Sequence, residues 1–162
     1  MEIQTRKPAA CASASFSGLE AHLGYWLRLV SNHVSNRFKR ALLAQQVSVA
    51  EWVLLRQLHA RPEMIPGELA EALALTRGAV SKVLDKVEAK SWIKRTTQPQ
   101  DNRVQLLSIT DQGRRVLPTL AAIADHNDRH FFDCLDPAEQ ESLRCLLQKV
   151  ADFHQIRNVP VD

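Results

Sequence analysis

Arg77, Ser81, Lys82 and Lys86 recur at intervals that bring them to one side of a helix, and their chemistry is that of polyanion recognition. Arginine and lysine donate hydrogen bonds to guanine O6 and N7 or to phosphate oxygens, and the hydroxyls of Ser81 and Thr76 donate to either. The charge around them is displaced from the rest of the chain. From Arg77 to Arg103 there are seven basic residues, Arg95 among them, and three acidic ones, a net of +4. The other 135 residues carry 14 basic and 15 acidic side chains, although the chain of 162 as a whole is only +3. Such a surplus attracts a polyanion to one face without making the whole surface adhesive.

The elements that must hold these residues follow from periodicity and capping. Residues 1–16, rich in Ala and Ser, read as a flexible arm. Ser17-Gly18-Leu19-Glu20 has capping-box spacing, and Leu19, Leu23, Trp26, Leu27, Val30, Val34, Phe38 and Leu42 then recur at helical intervals, which predicts one helix over 18–45. Ser48-Val49-Ala50-Glu51 repeats the box, with Val47 and Trp52 placed as a hydrophobic staple, and opens a second helix ending near His59. Pro66 suits the first turn of a short third helix with Leu69, Ala70 and Leu73 on one face. Thr76 caps a fourth, running to about Lys90, in which Val80, Val83, Leu84 and Val87 form the apolar stripe opposite the basic one.

Two helices joined by a turn at Ala74 and Leu75 make a helix-turn-helix, whose second member enters the major groove. Ile93–Thr97 and Val104–Ile109, aliphatic and β-branched, flank the polar run Gln98-Pro99-Gln100-Asp101-Asn102 and read as a hairpin. A hairpin here is a wing, with Arg103 placed to enter a minor groove. Asp101 would repel phosphate unless it pairs with and orients Arg103; its other reading is a turn former. Helical periodicity returns through Val116, Leu120, Ile123 and Phe131, with Pro118 early in it, and Asp136-Pro137-Ala138-Glu139 caps a last helix carrying Leu143, Leu146, Leu147, Val150 and Phe153. The expected fold is mainly α, a winged helix-turn-helix of order α-α-α-α-β-β-α-α. Residues 48–110 form the DNA-binding lobe, and 17–47 with 111–157 a helical layer. That layer bears more apolar stripe than one winged lobe can cover, which predicts a two-fold dimer.

The stretches Gly67-Glu68-Leu69-Ala70, Leu75-Thr76-Arg77-Gly78-Ala79-Val80-Ser81-Lys82-Val83-Leu84-Asp85-Lys86-Val87-Glu88, Asp101-Asn102-Arg103 and Leu107-Ser108-Ile109-Thr110-Asp111-Gln112-Gly113 resemble the MarR family of bacterial transcriptional regulators, over nearly the whole length from Leu19 to Phe153. The family's wing pattern, Asp-x-Arg followed by an aliphatic-x-aliphatic-Thr ending, is present. The resemblance implies an obligate homodimer on pseudopalindromic double-stranded DNA, typically a repressor released by a small, often aromatic, anionic effector. It also implies recognition-helix contacts from Thr76, Arg77, Ser81, Lys82 and Lys86, with Arg103 as the wing arginine. The effector pocket it implies draws here on His22, Trp26, Arg28, Asn32, Trp52 and Arg56, although Trp26 and Trp52, on apolar stripes, also read as core residues.

Other functions find less support. Cys11, Cys134 and Cys145 show neither a disulfide framework nor zinc-ligand spacing; Cys134 and Cys145 read as small buried hydrophobes, and a reducing cytoplasm fits them. Some members of the resembled family sense peroxide through a cysteine near the start of the first helix, where this chain has Gly24. His126 and His130 lie four apart on one helical face, but two ligands do not make a metal site, and an exposed polar face is the simpler reading. Nucleophile elbows, phosphate-binding glycine loops, zinc-protease motifs and export or membrane-spanning segments are missing, so no enzyme, cofactor or membrane partner is expected. The rival of another class is a winged helix used only for protein interaction, which would not need Arg77, Lys82, Lys86 and Arg103 to face one way.

Overall fold

The structure, a computed structural model, describes residues 16–98, 101–157 and 161, with the side chains of residues 101–103 outside the description. The chain divides after Asn32 into two units, Met1–Asn32 and His33–Asp162. The expected first helix is interrupted in the first unit. Leu19–Ala21 form a single 3-10 turn, His22 is extended, and α1 then runs Leu23–Leu43 across the boundary. Ser17 does not cap; its Oγ lies 3.1 Å from His22 Nε2, so the extended residue at which the helix breaks is the one that takes the capping hydroxyl.

In the second unit α2 (Val49–Ala60), α3 (Pro66–Ala72) and α4 (Arg77–Ala89) follow the predicted order. The capping box at α2 is complete. Ser48 N–H donates to Glu51 Oε2 at 2.6 Å, and Glu51 N–H donates to Ser48 Oγ at 3.2 Å. The turn from α3 to α4 closes through Leu75 N–H donating to Ala70 carbonyl, which forces Ala74 to φ 49°. Thr76 Oγ1 then accepts from Ala79 N–H and starts α4.

The wing is an antiparallel pair, β1 (Ile93–Gln98) and β2 (Asp101–Ile109), both longer than the sequence pattern predicts, with Ile93 opposite Ile109 and an irregularity after Thr97. Met64 adds a bridge that sequence reading missed: its N–H and carbonyl both bond to Leu107, tying the connection before α3 to the wing. Behind the wing come α5 (Asp111–Phe132), which passes through Pro118 as one helix, and α6 (Pro137–Phe153), whose capping box at Asp136 is complete.

One core closes this unit. Leu54, Leu55 and Leu58 of α2, Leu69 of α3, Val80, Leu84 and Val87 of α4, Ile93 and Leu107 of the wing and Leu117 and Leu120 of α5 are all buried. Gly113 is required by this packing, because a Cβ there would stand 2.2 Å from the Trp92 carbonyl oxygen, closer than any real contact. The mainly α, winged helix-turn-helix architecture is therefore present. The described residues include no helix long and apolar enough to cross a membrane.

Candidate nucleic-acid interface

Burial of Val80, Leu84 and Val87 fixes the rotation of α4, because residues at i, i+4 and i+7 share one helical face. Lys82 and Lys86 consequently stand exposed on the other side with Ser81 at its edge, while Thr76 and Arg77 are exposed at the N-terminal end of the helix. A Cβ on Gly78 would meet nothing within 4 Å, so the outer surface of the first turn is open to close approach. Among the described residues Arg77, Lys82, Lys86 and Lys94 take part in no ion pair, which leaves their full charge directed outward.

Two other cations of the basic segment, Arg95 and Lys90, have partners within the fold. Arg95 on β1 reaches back to α4, where its guanidinium pairs with Asp85, and its Nε lies 2.9 Å from Glu88 Oε2, near enough for ion pairing but not aligned as a hydrogen bond. Its side chain keeps 21% of its surface accessible. Read from sequence as a DNA contact, Arg95 is in this structure a brace between wing and helix. Lys90, counted in the displaced charge, is also internal: its Nζ donates to Glu51 Oε1 and to the Gln46 carbonyl, both at 2.6 Å, and lies 4.7 Å from the centre of the Trp92 ring. No spacing rule links Lys90 to Glu51, 39 residues earlier, and only the fold brings them together. Burial of Glu51 opposes its ionisation, but the hydrogen bond and charge of Lys90 and the bonds from Ser48 more than offset it, and the carboxyl is held below its ordinary value of 4.5.

The expected Asp101–Arg103 pairing and the tip of the wing at Pro99 and Gln100 lie outside the described residues, as do Cys11 and the arm up to Ser15. Cys134 and Cys145, expected to be buried, are both exposed, because α6 has no buried residue and the end of α5 leaves its outer side open. The effector candidates divide between the two units. In Met1–Asn32, His22 approaches Ser17, Trp26 Nε1–H donates to the Glu20 carbonyl at 2.9 Å while the ring remains 47% exposed, and Arg28 and Asn32 are exposed. Trp26 is thus not a core residue. In His33–Asp162, Trp52 is half-buried against the core, with the Arg56 guanidinium 5.5 Å over its ring. Among the described residues no three His, Cys, Asp or Glu side chains are grouped to hold a metal.

The same architecture recurs in solved structures. BpsR of Bordetella bronchiseptica superposes with a TM-score of 0.73 at 22% identity, covering 85% of this chain and 99% of that one. Apo MarR from E. coli gives 0.71 at 23% identity over 80% and 96% of the two chains. In sequence, an HTH-type transcriptional regulator of Bacillus cereus is 30% identical over 144 residues, 83% of this chain and 92% of that protein. YdgJ, an HTH-type transcriptional regulator of Bacillus subtilis, is 27% identical over 147 residues, 90% and 86%. The MarR family model matches residues 47–104, the span from just before the cap of α2 into the second strand of the wing. With an outward basic helix face, a wing behind it and likeness to these regulators along most of its length, the chain belongs to the MarR family of DNA-binding transcriptional regulators.

Proposed function

We propose that this regulator acts as a homodimer on pseudopalindromic operators, with the helix 76–90 in the major groove and the wing 98–103 in the adjacent minor groove. The observation that carries the reading is the exposed set of cations on α4, Arg77 in the first turn and Lys82 and Lys86 on the side away from the buried Val80, Leu84 and Val87, none of them in an ion pair among the described residues. Thr76 and Ser81 add hydroxyl donors beside it, and Arg103, oriented by Asp101, is the wing contact. Arg95 contributes indirectly, by holding the wing against α4. A protein of the same fold, a cysteine-to-serine mutant of E. coli MarR, has been solved with operator DNA, which supports this mode.

Residues 48–110 are the reading lobe, and 17–47 with 111–157 the dimerisation layer. Leu23, Trp26, Leu27 and Val30 of α1, and Leu146, Leu147, Val150 and Phe153 of α6, are apolar and exposed, which a second copy would remedy. The two reading helices would then stand about 34 Å apart, one turn of DNA. The regulator acts as a repressor released by a small aromatic carboxylate or phenol, for which the candidate contacts are Trp52 and Arg56 in the second unit and, taken by themselves, His22, Trp26, Arg28 and Asn32 in the first. The Arg56–Trp52 stack, a cation beside an aromatic wall, supports that chemistry, as does the regulation of BpsR DNA binding by 6-hydroxynicotinic acid.

Sequencing of genomic DNA retained by the purified protein, followed by fluorescence anisotropy on the recovered sites, tests the reading. Arg77→Ala should weaken specific binding at least tenfold with the fold intact, and the log–log salt slope should be about −0.9 per neutralised phosphate. Unchanged affinity in Arg77→Ala and Lys86→Ala would leave only the protein-interaction reading. A monomeric mass in solution would overturn the dimer, and failure of benzoate-like acids either to raise Tm or to release DNA would remove the effector assignment.

A further inference from the structure

A cleft of about 700 Å³ opens between the second half of α1 and the end of α5, entirely within His33–Asp162, and none of its assigned effector residues lies there. Its lining includes His33, Arg37 and Arg40 from successive turns of α1, and His126, His130 and Phe131 from α5. No carboxylate lines it, although Asp125, Asp128 and Asp133 lie on the same stretch of α5. The fold spends a buried polar residue on setting the floor. Asn127, 3% exposed, donates from Nδ2 to the Val34 carbonyl at 3.2 Å, and its Oδ1 accepts from Arg37 Nη1 at 3.3 Å. Arg37 Nη2 stands 3.4 Å from His126 Nε2. Among the described residues Arg40 bonds only through Nε, to the Asn36 carbonyl at 3.3 Å, so neither terminal nitrogen is engaged by them. Two guanidiniums and three imidazoles thus converge on one space with no carboxylate among the described lining residues, and an anion placed there would meet charge-assisted donors from both helices. The three imidazoles are not grouped to hold a metal.

We propose that this cleft is a binding site for a small, multiply charged organic anion, a polycarboxylate or a phosphate ester, separate from the aromatic effector site. Arg40, its terminal nitrogens unengaged, supplies the fork that grips one oxygen pair, Arg37 is positioned by Asn127, and the imidazoles complete the shell as donors. The shape, with one aromatic wall and five cationic or donor side chains, favours charge over ring area and so selects against benzoate-like acids.

Calorimetric titration and thermal shift of the full-length protein, without DNA, test the site with citrate, inorganic phosphate and benzoate at an ionic strength fixed with chloride. Citrate or phosphate should bind with one site per chain and raise Tm, and benzoate should bind at least tenfold more weakly. Arg40→Gln and His130→Gln, which remove ligand donors but no bond between helices, should each lower affinity at least tenfold at unchanged Tm of the free protein. Three results overturn the proposal: no heat beyond that of chloride, equal affinity in Arg40→Gln, or no anion binding together with a change in molecular mass in Arg40→Gln. The last would make the cleft the seat of a second copy.

Discussion

The winged lobe and α6 use the same apolar residues at the same helical spacing and meet opposite fates. In the lobe, Leu54, Leu58, Leu69 and Leu84 are sealed by three helices, a wing and the start of α5. Along α6, Leu146, Leu147, Val150 and Phe153 repeat the pattern, and no residue of that helix is buried. Periodicity states which side of a helix is apolar but not what covers it. The lobe supplies its own walls, whereas among the described residues nothing buries the apolar face of α6.

The contrast can be broken hardest in the core. Leu58→Ala should lower the unfolding free energy by about 2–5 kcal/mol in urea melts and remove DNA binding with it, since the wing and α4 share that core. Lys90→Met comes next. It leaves the carboxylate of Glu51 buried and unpaired, and about 2–3 kcal/mol should be lost, below the cost for a fully buried pair because Lys90 keeps 28% of its side chain accessible. The same pair sets an acid limb. A carboxyl held below 4.5 contributes stability that is complete above that pH and disappears as pH falls through the lower folded value. The stability of the wild type should therefore fall more steeply than that of Glu51→Gln below pH 4.5, as read by melts across that range.

Gly113→Ala, which drives a Cβ toward the Trp92 carbonyl, should cost about 1–3 kcal/mol and shift the wing, visible as weaker DNA binding. Ala74→Gly should act in the opposite direction. Relief of the positive φ outweighs the added freedom of the unfolded chain, for a net gain of about 0.5 kcal/mol. The smallest effect on folding is expected on α6. Leu147→Gln should change the stability of the folded chain by less than about 0.5 kcal/mol, and for the dimer proposed above it should raise the dissociation constant measured by analytical ultracentrifugation. A loss as large as that of Leu58→Ala would show that α6 is part of the lobe's core, and the contrast would fail.

Local rules carried much of this into view. Capping boxes at Ser48 and Asp136, Thr76 as N-cap and Pro66 in the first turn of α3 all act between near neighbours, so type and spacing suffice to place them. The same logic failed at Ser17, where a correct capping pattern was overridden by the extended His22. Lys90 and Arg95 look like Lys86 and Arg77 in a list of charges, and only their carboxylate partners set them apart.

From the sequence by itself came the order of elements, the rotation of α4 with its outward basic row, and the family. Each rests on contacts within a few residues or on motifs that survive without coordinates. The tertiary structure alone decided that Glu51 holds Lys90, that Arg95 braces the wing, that Met64 pairs with Leu107, and that Arg37, Arg40 and three histidines share a cleft. Glu51 and Lys90, Met64 and Leu107, and the two sides of the cleft are tens of residues apart in the chain, Arg95 meets its carboxylates across a change of element, and side-chain type carries no record of where a charge will find its counter-charge.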